Sequence, residues 1–246
     1  MKVILNNIRG IDDAIVSLYE SKGNYKESLE AELRQYTYDN TERNGFLKKD
    51  LQEKFSWPYK KMLKIGQKHT TIIRFIDFSF SVIGLHRGGQ DDLDAHAQRF
   101  NNRIIRLSTR LCSTIDGDSL SEYYKDKIIP MDSYLKYMNI QVPDTIIVGN
   151  DEYVKTNGGY VNRSYIKKHP EEAQDVERGL YGLAIPSTCI VKCDLFQYAH
   201  VYKIRNKTTN AHPELRDMIE SLTDQLADAL NLTPEAMRAY LMGIEN

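Results

Sequence analysis

The sequence predicts an α/β (α+β) protein occupying residues 1–246 as a single domain, on three observations: its length, one sharply alternating strand, and helical runs toward both ends. At 246 residues the chain exceeds the roughly 150 residues of a typical domain but falls short of two. Residues Ile76 to Val82 read Ile-Asp-Phe-Ser-Phe-Ser-Val, an apolar/polar alternation of period two that places small or acidic groups on one face of a strand. The balance of 33 Lys+Arg against 34 Asp+Glu, a net charge of −1, excludes attraction of the whole protein to nucleic acid and leaves only a local basic patch. No apolar run approaches the roughly 18 residues that span a bilayer, and the opening Met1-Lys2-Val3-Ile4-Leu5-Asn6-Asn7 is too short for a signal peptide. The expected setting is therefore the cytoplasm, with no membrane partner. Three cysteines, Cys112, Cys189 and Cys193, an odd and sparse set, point to reduced thiols.

Each element follows from local chemistry. The stretch from Ile11 to about Leu33 favours helix, broken at Gly23-Asn24. Phe46 to Lys68 is again helical in composition, interrupted at Trp57-Pro58, because proline removes a backbone donor. After the 76–82 strand, Gly88-Gly89 reads as a turn. From Asp91 to Arg110 the spacing of Leu93, Ala97, Phe100, Ile104, Leu107 and Leu111 predicts an amphipathic helix. Its other face carries Arg99, Arg103, Arg106 and Arg110, a row of like charges that calls for anions between them. Residues 113–159 are loop-rich and tyrosine-laden, with a strand from Asp144 and a turn at Asn157-Gly158-Gly159. A helix opened by Pro170, a β-rich run over Ser187 to Lys192, and helices over Asp194 to Arg205, Pro213 to Leu230 and from Thr233-Pro234-Glu235 complete the reading.

The common catalytic signatures are missing. There is no Gly-x-Gly-x-x-Gly after a strand, no phosphate-binding P-loop and no Gly-x-Ser-x-Gly elbow. Cys189, Cys193 and His200 fall short of a zinc ligand set, so no metal centre is expected. His86-Arg87 beside the glycine pair is at best a weak phosphate-approach turn.

Two distant segments fit one template together. The first runs His69, Phe78, Phe80, Val82, Gly84, Arg87, His96 and Asn102; the second runs His200-Val-Tyr-Lys-Ile-Arg205 and Ala211-His-Pro-Glu214-Leu-Arg216. Their order and spacing resemble the flavin-dependent thymidylate synthases. The resemblance implies a central mixed sheet with flanking helices and a homotetramer that holds FAD between subunits. It also implies transfer of a one-carbon unit from methylenetetrahydrofolate to C5 of a pyrimidine nucleotide such as dUMP, with NADPH reducing the flavin. By the same resemblance Arg205 is the catalytic and substrate-holding arginine. His69, His96, Asn102, His200 and Glu214 fall on cofactor positions, and Arg99, Arg103 and Arg106 supply charge for the substrate phosphate.

The chain departs from the family pattern where Ala95 and Ala97 flank His96, where Arg103 stands at the glutamate position, and where Gly182 replaces an arginine. The alternative expectation is accordingly a non-catalytic or altered-substrate relative that binds a nucleotide or single-stranded nucleic acid through the arginine row and tyrosine stacking.

Overall fold

A computed structural model describes residues 1–21, 27, 31–33, 35, 53–94, 103–106, 120–156, 159–170 and 182–245. In chain order the elements are β1 (Lys2–Arg9), α1 (Ile11–Ser21), α2 (Ser56–Gly66), a 3-10 turn (Ile73–Phe75), β2 (Asp77–His86), α3 (Arg87–Asp94), β3 (Arg103–Arg106) and α4 (Met131–Tyr137). There follow β4 (Thr145–Val148), β5 (Asp151–Thr156), β6 (Gly159–Asn162), α5 (Arg163–Lys168), β7 (Pro186–Asp194), α6 (Leu195–Arg205), α7 (Pro213–Ala229) and α8 (Pro234–Gly243).

The main sheet has the order β1-β2-β7-β3, and a second sheet has the order β4-β5-β6. Every described pairing is antiparallel, so the α/β expectation holds while the expected mixed strand direction does not. The alternation read between Ile76 and Val82 becomes the spine of the core. Phe78, Phe80 and Val82 face inward and pair in register with Cys193, Val191 and Cys189 of β7. Against this face lie α6 and α7, the latter burying Leu215, Met218, Ile219, Leu222 and Leu226. Tyr198 of α6 is 2 % exposed, stacks edge-on to Phe78 at 5.5 Å and donates its hydroxyl to the Ile219 carbonyl at 2.9 Å. A buried phenol is tolerated only with such a partner.

Local chemistry sets the helix ends. Asp194 and Gln197 form a reciprocal capping box at the start of α6. His212 caps α7 ahead of Pro213, and Thr233 caps α8 ahead of Pro234. Pro58 does not interrupt α2: it sits in the first turn, where its missing N–H has no intrahelical partner to lose. Gly10, at φ +80°, turns β1 into α1; a Cβ there would lie 1.9 Å from the Phe75 carbonyl oxygen, so any side chain is excluded.

Two expectations fail for physical reasons. Gly88 and Gly89 lie inside α3 and form no turn. Of the helix expected from Asp91 to Arg110, residues 91–94 lie in α3, 95–102 and 107–110 lie outside the described residues, and Arg103 to Arg106 instead form edge strand β3 against β7. The β-branched Ile104 and Ile105 suit a strand, and pairing with an open sheet edge outweighs helical spacing. A strand alternates faces, so positions 103 and 106 do not repeat on one face as they would on a helix. Among the described residues no helix is long and apolar enough to cross a membrane.

Gln225 of α7 ties down the first strand, accepting from the Leu5 N–H at 2.8 Å and donating to the Val3 carbonyl at 3.1 Å. Replacing Gln225 by alanine strands both backbone groups and is expected to cost about 1–3 kcal/mol. In thermal unfolding this lowers Tm by about 2–4 °C per kcal/mol for a chain of this size.

Candidate functional site

The inner end of β2 delivers His86 to the first turn of α7, and a compact polar cluster forms there. His86 is 4 % exposed and Glu214 5 %. The Glu214 carboxylate accepts from the His86 ring Nδ1 at 2.5 Å and from the His86 backbone N–H at 3.2 Å. Its other oxygen accepts from the Tyr123 N–H at 3.4 Å. A carboxylate only accepts, so the His86 ring carries a proton on Nδ1.

His212 stands beside this pair, its ring centroid 4.1 Å from that of His86. Its Nδ1 accepts the Glu214 N–H at 3.3 Å, and its Nε2 lies 2.9 Å from the Tyr124 hydroxyl. With Nδ1 accepting, a neutral ring bears its proton on Nε2 and donates it to Tyr124. Tyr123 and Tyr124 wall the cluster with ring contacts to His212 at 4.6 and 5.6 Å.

The glycine pair explains how the imidazole fits. A Cβ at Gly89 would meet His86 Cε1 at 2.8 Å and Leu85 Cδ1 at 3.0 Å, and one at Gly88 would meet His86 Cδ2 at 3.3 Å. The turn of α3 that touches His86 must therefore lack side chains. The Arg87 and Gly88 N–H groups donate to the Ile185 and Leu183 carbonyls at 3.0 and 3.1 Å, which fixes the start of α3 against the approach to β7.

Titration follows from these contacts. Burial pushes the Glu214 carboxyl up, but the hydrogen bonds from the His86 ring and backbone outweigh it and hold the group below its ordinary value. Burial, then the neighbouring His86, lower His212. Burial, then the Glu214 charge, raise Tyr124 and keep it a phenol.

Two buried guanidinium nitrogens, Arg87 Nη1 and Arg205 Nε, have no hydrogen-bond partner among the described residues, and the same holds for Gln90 Oε1 and Ser187 Oγ. Leaving such a group unpaired costs about 1–3 kcal/mol each, so each is a candidate contact for a polar ligand or an ordered water. Beside the cluster a cavity of about 560 Å3 is walled by Leu120, Ile128, Ile129 and Pro130, with Lys125, Ser133 and the β7 start at Pro186 on its rim. Pro186 is the register partner of His86.

The residues singled out from sequence fall in several places. His69 lies exposed after α2 and lines a different cavity of about 340 Å3 with Ser17, Leu18, Ile65, Thr71 and Phe75. His200 and Arg205 are half-buried on α6. Glu214 is joined to His86. His96, Arg99 and Asn102 lie outside the described residues, and Arg103 and Arg106 sit on β3. Cys189 and Cys193 are buried without a disulfide; four residues apart on one strand, they are about 13 Å distant and make no shared ligand pair. Burial raises the Cys193 thiol well above its ordinary value, which leaves it inert. Sequence reasoning missed the pairing of His86 with His212, Tyr123 and Tyr124. The available signal was the motif Ala211-His-Pro-Glu214 at the start of the helix from Pro213, which singled out Glu214 and not His212.

The fold is that of the flavin-dependent thymidylate synthases, as the motif order led us to expect. Thymidylate synthase X (ThyX) of Helicobacter pylori, in a crystal structure with FAD and dUMP, matches at 12 % identity and a TM-score of 0.53, covering 98 % of this chain and 99 % of that one. A second structure of that enzyme with FAD and dUMP matches at 12 % identity and 0.51 over the full length of both. PolB of Streptomyces cacaoi, a UMP/dUMP methylase bound with 5-Br dUMP, matches at 12 % identity and 0.53, covering 97 % and 94 %. No protein-family model and no curated protein matches the sequence.

The cluster carries a pH prediction. Between the lowered folded value of His212 and its ordinary value of 6.5 the unfolded chain binds more protons, so stability falls as pH falls through that window. Glu214 adds a second loss below its ordinary 4.5. In urea unfolding across pH with chelator present, His212→Ser is expected to flatten the first limb and leave the second.

Proposed function

We propose that the chain is a flavin-dependent enzyme that transfers a one-carbon unit to C5 of a pyrimidine deoxynucleotide such as dUMP. The observation that carries this reading is Arg205: at the end of α6, on the motif position of the pyrimidine-holding arginine, its Nε is buried and unpartnered among the described residues. A guanidinium so placed demands an acceptor, and the uracil ring with its phosphate supplies one. Arg87 Nη1, equally unpartnered, offers a second donor. Support also comes from a fold shared along nearly the whole chain with proteins crystallised with FAD and dUMP.

The charges of Arg87 and Arg205 suit an anionic dinucleotide or nucleotide, and the motif assigns His69, His96, Asn102 and His200 to the flavin, His96 and Asn102 lying outside the described residues. When bound, FAD supplies the methylene relay and the hydride, with NADPH as reductant and methylenetetrahydrofolate as donor. The protein's share is to hold the pyrimidine and to stabilise negative charge on its ring, which falls to Arg205 as catalytic residue. Arg99 and whichever of Arg103 and Arg106 faces the nucleotide from β3 contribute charge for the phosphate. Glu214, whose two oxygens accept from His86 and Tyr123, acts as a positioning residue beside the cofactor, with lone pairs left for a further contact. The working form is a cytoplasmic homotetramer. Ile105 and Ile190, register partners on β3 and β7, are 72 % and 48 % exposed, an apolar sheet face suited to a second subunit.

The alanines at 95 and 97 favour a second reading, in which nucleotide binds to this fold without folate-dependent turnover. The test begins with FAD-loaded protein under anaerobic NADPH: bleaching of the flavin, then a methylated pyrimidine nucleotide by mass spectrometry once dUMP and the folate are added, supports the first reading. Bleaching with no product supports the second. Protein that takes up neither FAD nor dUMP contradicts both. Arg205→Ala is expected to weaken dUMP binding at least about tenfold, or ~1.4 kcal/mol, at unchanged FAD content; unaltered nucleotide affinity would remove Arg205 from the site.

A further inference from the structure

We propose that His86, His212 and Glu214 form a binding site for one divalent cation of the zinc class, bridging the end of β2 and the first turn of α7. One ligand atom from each residue lies within 4.8 Å of the others, the one such grouping of His, Cys, Asp and Glu found among the described residues. Two imidazoles and a carboxylate make a donor set suited to a borderline ion, and a fourth position stays open to water.

The outer nitrogen of His212 and the back of Glu214 are held as those of metal ligands are, while the His86–Glu214 bond and the cap on His212 Nδ1 give way to the ion. His212 presents the lone pair of Nδ1, which receives only a 3.3 Å backbone contact from Glu214, while its Nε2 meets the Tyr124 hydroxyl at 2.9 Å. A ligating histidine is oriented in this way, with its second nitrogen held by an outer partner. Glu214 is held from behind by the Tyr123 N–H, and the side-chain-free turn at Gly88 and Gly89 holds the plane of His86.

His86 Nδ1 and Glu214 Oε2 stand 2.5 Å apart with a proton between them. Ligand atoms about 2.0–2.1 Å from a tetrahedral ion lie roughly 3.3 Å from each other, so the pair must part by less than about 1 Å. The cation takes the place of the shared proton, which passes by way of solvent to Nε2 of the same ring, so that a neutral imidazole ligates through Nδ1; no electron changes hands. The site is independent of the flavin and nucleotide assignments, since it needs neither ligand.

Equilibrium dialysis of the tag-free full chain against zinc tests this. The expected result is one zinc per chain and a rise in Tm with zinc concentration, because an ion that binds only the folded form stabilises it. His212→Ser keeps an oxygen to cap α7 while removing the imidazole; its zinc affinity should drop at least about tenfold. His169→Ala, a histidine away from the trio, should leave affinity unchanged. Cobalt in the unaltered chain should give visible d–d bands with no thiolate charge-transfer band, a readout that stands even if a variant fails to fold. Absence of stoichiometric uptake, equal affinity in His212→Ser, loss in His169→Ala, or a thiolate band would each overturn the proposal.

Discussion

A buried carboxylate at the junction of sheet and helix organises this molecule. Glu214 lies at the start of α7, where the free amides and dipole of a helix favour a negative group, and it accepts from both the ring and the backbone of His86. Withdrawing either partner would leave the other buried with no water to replace it, the costly half of the asymmetry between making and losing a buried polar bond. The end of β2, the start of α3, the Tyr123 segment and the start of α7 are therefore fixed relative to one another. The cavity beside Pro186 and the unpartnered Arg87 nitrogen both lie on segments that this junction positions.

The junction also separates two roles that the sequence motif merges. A motif position says which residue stands where a relative has a ligand; it does not say whether that residue is free. Glu214 is engaged by its own chain, whereas the buried Nε of Arg205 has no partner among the described residues. The contrast makes Arg205 the stronger candidate for contact with a bound molecule and turns Glu214 into part of the frame. His69 faces a separate cavity beside α1 and α2, so the residues expected around the flavin do not all meet within one described hollow. In the proposed assembly the remaining walls come from neighbouring subunits.

How much could be read in advance depended on whether local chemistry or distant pairing decided each element. The last three helices were legible because Asp194, Pro213 and Thr233-Pro234 mark their own starts. The strand at Ile76 to Val82 was legible because its alternation matches a face packed on helices and a face that is not. Strand β1 was not, since Val3, Ile4 and Leu5 are too short a run to separate from any apolar stretch without its partner β2. The arginine spacing from 99 to 110 mimicked a helix until the edge of β7 claimed residues 103 to 106. The glycines at 88 and 89 looked like a turn because the reason for them, the ring of His86, is a tertiary contact. The cluster itself joins positions more than a hundred residues apart, which no local pattern encodes.

The most direct measurement of the central claim is a crystal of the chain grown with FAD and 5-bromo-dUMP, read by the anomalous signal of bromine. The account predicts a single bromine peak per subunit in a hollow bordered by Arg205, with Arg205 Nε donating to the nucleotide and Glu214 still bound to His86. Nucleotide density that lies away from Arg205, or a guanidinium at 205 found paired within its own chain, would contradict it.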